Sequence, residues 1–403
     1  MKYSKEEVMQ YVIEEDVKFI RLAFCDVFGK QKNIAIMPEE LPRAFEYGIA
    51  FDASAIAGFG DETKCDLLLH PDPETLMQLP WRPEHGKVVR MFASVSYPDG
   101  RAFECDTRQL LKKAVKEAES SGYSFFFGAE QEFYLFEADE SGKASSIPCD
   151  NAGYMDIAPE DCGENIRREI CLTLEQMGIR PESSHHEEGP GQNEIDFRYS
   201  DALTAADNVL TFQTIVKTVA RRNGLFVDFS AKPLPYEAGN GFHINVSVQS
   251  HEKKDLLPGI IAGVMEKIRP MTVFLNPTEN SYKRLGLLKA PRYISWSPEN
   301  RSQLIRVPAA VGEYRRVELR SPDPTANPYL AFMLMIYAGL YGLENDLTPP
   351  EPVNINFYKA DNNFLKDFPM LPSSLKEARI TASADDFIRE HIPDKILDIY
   401  CNR

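Results

Sequence analysis

The chain has 403 residues, 43% of them apolar, enough for two or three domains with a sizeable core. Its 45 basic against 61 acidic residues leave a formal charge of −16, which argues against nucleic acid and anionic membrane as partners but leaves room for a phosphate gripped by local arginines. The seven cysteines are scattered and form no CxxC pair, so they are expected as reduced, packed thiols rather than disulfides or a zinc site. The start MKYSKEEVMQYVIEED carries no apolar signal region and no stretch reaches a spanning length, so a soluble, cytoplasmic protein is expected.

In chain order, Ser4 caps a first helix with Glu6 and Glu7 in its first turn. The runs VKFIRLAFCDV and KNIAIM read as strands split by the turn Phe28-Gly29-Lys30, and GKVVRMFASVSYPDGRAFE as a hairpin around Pro98-Asp99-Gly100. Residues 1–104 thus form a small α+β domain. Asp106-Thr107 caps the helix RQLLKKAVKEAESSG. From there to residue 403 the strands FFFGAEQEFYLF, NEIDFRY, LFVDFSAK, GFHINVSV and RVELR alternate with four helices: GENIRREICLTLEQMG, TAADNVLTFQTIVKTVARRNG, KDLLPGIIAGVMEKI and PYLAFMLMIYAGLYGLE. This is a second α+β domain, with a mostly antiparallel sheet polar on one face. The stretches 348–352 and 360–363 read as loops.

Four of the strands place polar groups at every second position: Glu130 and Glu132; Glu194, Asp196 and Arg198; His243, Asn245 and Ser247; Arg316, Glu318 and Arg320. Side chains at i, i+2 and i+4 share one face of a strand. Burying such rows unpaired is prohibitive, so the groups must meet each other, a metal or a charged ligand. Glutamates 130, 132, 187, 194 and 318 with one histidine at 243 make an oxygen-rich set that suits Mg²⁺ or Mn²⁺ better than zinc, and five carboxylates suit two or more ions. There is no G-x-x-x-x-G-K-[ST], so nucleotide binding is not of the P-loop kind.

These segments, with VKFIRLAFCDVFGKQKN, FDASAIAGF, NAGYMDIAP, SSHHEEGPGQNEIDF, NSYKRL and PENRSQLIRVP in order, resemble the glutamine synthetase family, type I branch, over nearly the whole chain. The resemblance implies a β-grasp domain followed by a catalytic domain with a curved sheet. It implies a homo-oligomer of one or two six-membered rings, with Asp52 brought to a neighbour's site. It also implies an ATP-dependent ligase making a γ-amide of glutamate through a γ-glutamyl phosphate. Matched residue by residue, Glu132, Glu187 and Glu194 would hold one ion, and Glu130, His243 and Glu318 another. Arg284, Arg301 and Arg320, with the Gly239 backbone, would grip glutamate and the γ-phosphoryl group. Ser247, Arg306 and Arg316 would hold ATP, and Asp52 and Tyr154 would receive the amine.

The chain departs from the family at one pocket. A flap that reads like RLVPGYEAP in the family is RLGLLKAP here, with Lys289 in the place of a glutamate, and FDGSSI becomes FDASAI, with Ala53 and Ala55. Intact ligand sets beside an altered ammonium pocket suggest a larger amine as acceptor, with ordinary glutamine synthesis as the rival if Glu299 or Glu279 supplies the missing acid. A non-catalytic oligomer serving as scaffold or sensor is the alternative outside enzymology. The chain also ends at KILDIYCNR, before the strap that joins two rings in relatives, so a single hexamer is an expectation too. The simpler readings are that His185 and His186 hydrogen-bond locally, His70, His85, His251 and His391 lie at the surface, Phe125-Phe126-Phe127 is core, and Asp196 pairs with Arg198 or a neighbour. The glycines of EEGPGQ and EAGNGF, Gly239 apart, fit a phosphate cradle or loop flexibility equally well, and Tyr358 is read as a packed tyrosine.

Overall fold

The computed structural model describes residues 3–60, 63, 65–82, 85–250 and 255–402, and these fall into two compact units, Met1–Leu110 with Gln176–Gly178, and the remainder. The first unit runs α1 (Lys5–Glu14), β1 (Val17–Cys25), β2 (Gln31–Ile36), α2 (Leu41–Glu46), β3 (Ile49–Asp52), β4 (Asp66–Pro71), β5 (Met77–Gln78) and β6 (Lys87–Ser96). Ser4 and Glu7 close a reciprocal capping box at the start of α1. The sheet order is β2-β1-β6-β4-β3, with β5 against β6. Only β1 and β6 run parallel. Val8, Val12, Ile20, Leu22, Leu67, Leu69, Val89 and Met91 form its core.

After β6 the chain turns over Tyr97–Arg101, but it returns only as a Ser96–Ala102 bridge rather than a full hairpin strand. Asp106 explains the shortfall. Its carboxylate accepts from the Val95, Arg108 and Gln109 amides, pinning the strand to the start of α3 (Thr107–Ser120) and leaving no length for a second strand.

The second unit continues through β7 (Tyr123–Ala138), β8 (Ala144–Pro148), α4 (Glu164–Gln176), β9 (Pro181–His186), β10 (Gln192–Asp201), α5 (Ala202–Arg222), β11 (Leu225–Asp228), β12 (Phe242–Ser250), α6 (Leu257–Leu275) and α7 (Glu279–Tyr282). There follow β13 (Trp296–Pro298), β14 (Ile305–Val307), β15 (Val317–Leu319), α8 (Pro328–Glu344), α9 (Asn362–Leu365), α10 (Leu375–Ser383), α11 (Asp386–His391) and α12 (Asp394–Cys401). The sheet order is β13-β14-β15-β12-β7-β10-β9, with β8 and β11 also on β7. All pairs are antiparallel except β13–β14.

Strand β7 shows the division of faces. Phe125, Phe127, Ala129 and Phe133 are buried on one side, and Phe127 stacks on Phe332 of α8 at 4.4 Å. Helix α8 is apolar all round and buried for nearly its whole length, as such a sequence must be. It meets α6 through glycine: a Cβ at Gly263 would stand 2.0 Å from the Ala338 carbonyl. Helix α6 continues through Pro270 to Leu275, beyond the expected end at 268, because residues 271–275 are buried and that packing outweighs the missing amide. The stretch 360–363, expected as loop, starts the one-turn helix α9, with Asp361 accepting from the Asn363 amide. Among the described residues no helix is long and apolar enough to cross a membrane.

Phe126 corrects the reading of the aromatic triplet as core. The strand period turns it to the polar face, where it meets Tyr199 edge-on at 6.3 Å. His70 and His391 are half-buried rather than free at the surface, and both have companions: His70 bonds Ser96 and His391 stacks on Tyr337 at 3.7 Å. His85 is exposed and His251 lies outside the described residues.

Candidate active site

Register brings the polar rows together as rungs. One rung is His185–Glu194–Glu132, the next Ser183–Asp196–Glu130–His243, the third Arg306–Glu318–Asn245–Gly128. Neighbouring rungs sit two residues apart along each strand, so their side chains point the same way. Gly128 belongs to this geometry, with its missing side chain opposite Asn245.

The donor atoms cluster accordingly. Those of Glu130, His243 and Glu318 lie within 4.8 Å of one another, as do those of Glu132, Glu194 and His243, of His185, Glu187 and Glu194, and of Glu130, Glu194 and Asp196. Burial raises the Glu132 carboxyl, and the negative charge of Glu187 adds to it. Glu194 is raised well above its usual range, by burial first and then by Asp196, Glu132, Glu130 and Glu187. Burial would raise Glu130 too, but hydrogen bonds from His243 and Asn245 outweigh it and leave that carboxyl below its ordinary value. Carboxylates that repel one another in this way fit divalent cations.

A cavity of about 690 Å³ opens over the cluster. It is lined by Glu130, Glu132, Glu187, Glu194, His243, Gly239, Tyr154, Arg284, Arg301, Arg306, Arg316 and Arg320, twelve of the residues singled out in the sequence. Glu318 lies beneath, fully buried, between Arg306 Nη1 at 2.6 Å and Arg320 Nη1 at 2.7 Å. A second cavity of about 120 Å³ shares Glu130, Asp196 and Arg316 and is walled by Ser247, Phe126, Tyr199 and Tyr314. Asp52 belongs to the first unit, where it ends β3 and accepts from the Ser54 amide at 2.8 Å, a bond that lowers its carboxyl.

Among the described residues, three buried polar atoms at the large cavity lack a partner: Arg284 Nε, Arg320 Nε and Asp196 Oδ1. Unpaired buried groups are costly and point to a charged ligand. Asp196 pairs not with Arg198, whose guanidinium lies over Tyr199, but with a neighbour, accepting from Ser183, and it also lines both cavities. Gln192 is the residue sequence reasoning missed: its amide donates to Glu132 Oε2 at 3.0 Å. The alternation Gln192, Glu194, Asp196 on β10 was the available signal.

The site's glycines are there for close approach, not flexibility. A Cβ at Gly189 would stand 1.9 Å from Tyr134 Oη, and one at Gly241 2.6 Å from His243 Nε2. His185 meets Glu187 at 3.0 Å, while buried His186 bridges the Glu187 carbonyl at 2.6 Å and Asp150 Oδ1 at 3.0 Å.

Two family models match the chain: the β-grasp domain of glutamine synthetase over residues 16–98 and its catalytic domain over 104–403. The chain belongs to the glutamine synthetase family. Its first unit is the β-grasp domain of that family and its second carries the curved catalytic sheet. The glutamine synthetase of Clostridium saccharobutylicum is 43% identical, covering 99% of this chain and 94% of its own length. That of Methanosarcina mazei is 43% identical, with 98% and 92% covered. The solved structure of a GmaS/ADP complex is 28% identical with a TM-score of 0.88, covering 97% of this chain and 93% of its own. Plasmodium falciparum glutamine synthetase, at 22% identity and a TM-score of 0.87, covers 100% of this chain and 95% of its own and shares the fold.

Within this glutamine synthetase fold, Lys289 pairs with Glu188 and lies 5.3 Å from the Tyr154 ring centroid. Neither Glu279 nor Glu299 lines the cavity: Glu279 sits in the first turn of α7, and the Glu299 carbonyl accepts from Arg306 Nε. Tyr358 is partly exposed, with its hydroxyl 3.5 Å from the Arg301 carbonyl.

Proposed function

We propose that this glutamine synthetase family member is an ATP-dependent ligase that joins ammonia or a small amine to the γ-carboxyl of glutamate. The observation that carries the reading is the meeting of four mutually repelling glutamates with partly unpaired buried arginines over one cavity. Such a site suits a substrate pair rich in phosphate and carboxylate. The relative solved with ADP supports the nucleotide.

In this reading the γ-carboxylate oxygen of glutamate attacks the γ-phosphorus of ATP, ADP leaves and a γ-glutamyl phosphate forms. The amine lone pair then attacks the acyl carbon, phosphate leaves and the nitrogen loses a proton. Glu132, Glu187 and Glu194 would hold one Mg²⁺ or Mn²⁺, and Glu130, His243 and Glu318 another. When bound, the ions supply charge neutralisation and polarisation of the transferring phosphoryl group. Arg284, Arg301 and Arg320 orient glutamate and meet the negative charge that develops on the phosphoryl oxygens, with Gly239 offering its backbone. Arg306 and Arg316, with Ser247, hold ATP. Asp52, brought from a neighbouring subunit of a ring, and Tyr154 receive the ammonium form of the acceptor and favour loss of its proton. Residues 1–104 then act as the β-grasp domain and 105–403 as the catalytic domain of that oligomer.

The test is phosphate release by the purified protein with Mg²⁺, ATP and glutamate, comparing ammonium with a panel of mono- and diamines. Amine-dependent release establishes the ligase, and the best acceptor names it. Silence with every amine sinks the reading and favours a non-catalytic oligomer.

A further inference from the structure

The cavity already holds a cation at one place. The Lys289 ammonium pairs with Glu188 and lies over the Tyr154 ring, and all three residues line the cavity. The backbone there is held against its preference: Leu288 has φ 41° and Lys289 φ 65°. Two consecutive non-glycine residues keep left-handed angles only where surrounding contacts over-determine them. Backbone bonds close this turn, from the Ala290 amide to the Leu287 carbonyl and from the Gly286 amide to the Ala290 carbonyl, each at 3.1 Å, and they aim the Lys289 side chain at the carboxylate and the aromatic face. Met155 and Leu288, chain neighbours of Tyr154 and Lys289, line the same cavity and are 60% and 53% exposed.

An acid beside an aromatic face is a cation subsite, and its occupant here is a primary ammonium on a four-carbon stem. Apolar side chains next to it offer contact to an alkyl group and nothing to bare ammonium. We propose that Glu188 and Tyr154 form the subsite for the acceptor's ammonium, that Lys289 fills it in the free protein, and that the acceptor is a primary alkylamine which exchanges with Lys289. The inference rests on the ligase reading and names its acceptor class. An exposed ion pair and one cation–π contact are each weak. A tethered group competes at an effective concentration in the millimolar range, so a free alkylammonium at that level displaces it.

The test uses Lys289→Met, which keeps the stem and removes the charge, and Glu188→Gln, which weakens the subsite. Titration calorimetry with n-butylammonium reads binding without turnover. K289M is expected to bind it about three- to tenfold more tightly than the wild type, and E188Q more weakly. The KM for n-butylamine should fall by the same factor in K289M while those for ATP and glutamate stay fixed. Unchanged or weaker binding in K289M overturns the proposal. So does an unchanged acceptor KM with faster amine-independent phosphate release, which makes Lys289 a latch instead. A wild type that releases no phosphate with any amine removes the ligase reading, and the binding titration still decides the subsite.

Discussion

Asn245 ties Glu130 to Arg316. Its Nδ2 donates to Glu130 Oε1 at 2.7 Å, and its Oδ1 accepts from Arg316 Nε at 2.8 Å. One side chain therefore orients a carboxylate proposed to hold a metal and a guanidinium proposed to hold ATP. Asn245→Ala should lower kcat/KM by about 10- to 100-fold, the usual cost of losing a group that orients a ligand. The Mg²⁺ concentration giving half-maximal rate should rise with it. An Mg²⁺ titration of activity checks this; a lower rate at unchanged Mg²⁺ dependence sinks the argument.

Glu194 gives a test with a sign reversal. Its carboxyl is raised well above its usual range by burial and by Asp196, Glu132, Glu130 and Glu187. In EDTA, Glu194→Gln should raise the melting temperature, since it removes repulsion. In Mg²⁺ the wild type should gain about 3 kcal/mol at a hundredfold excess over Kd, and the variant much less. Thermal melts in both buffers decide the matter.

Gly189→Ala tests the close approach beneath the site. The new methyl would stand 1.9 Å from Tyr134 Oη, whose hydroxyl donates to the Ala238 carbonyl at 2.6 Å. A destabilisation of about 1–3 kcal/mol is expected from overpacking. Because Glu187 and Glu188 precede this glycine, activity should fall further than stability alone explains. Urea unfolding alongside kinetics separates the two.

Asp150 sets an acid limit. Burial would raise its carboxyl, but hydrogen bonds from His186 and the Gly191 and Ala152 amides outweigh burial and hold it at about 2, below the ordinary 3.8. Between those values the native state binds fewer protons than the unfolded chain. The contribution is therefore present above about pH 4 and lost as pH falls towards 2, on the order of 1 kcal/mol. Asp150→Asn should be less stable at pH 7 and should show a flatter loss of urea midpoint between pH 4.5 and pH 3.

Much of this molecule is written in local pattern. Period-two alternation in GAEQEFYLF and FHINVSV marks one face of a sheet as polar, and the apolar runs 204–224 and 328–344 mark two helices that cover the other, within two residues of their observed bounds. These depend on side-chain chemistry at fixed spacing, which a sequence displays directly. What only tertiary structure decided depends on register and on distance across the chain. Asp196 became a cavity residue because its rung places it between Ser183 and Glu130, not because of anything adjacent to it in sequence. The sequence around Gly189 fits a flexible loop or a phosphate cradle, whereas the fold sets it against Tyr134, on a strand 55 residues earlier. Lys289 could be seen to be a cation in an acidic pocket, but its partner Glu188 lies a hundred residues away, and only the folded chain brings the two charges together.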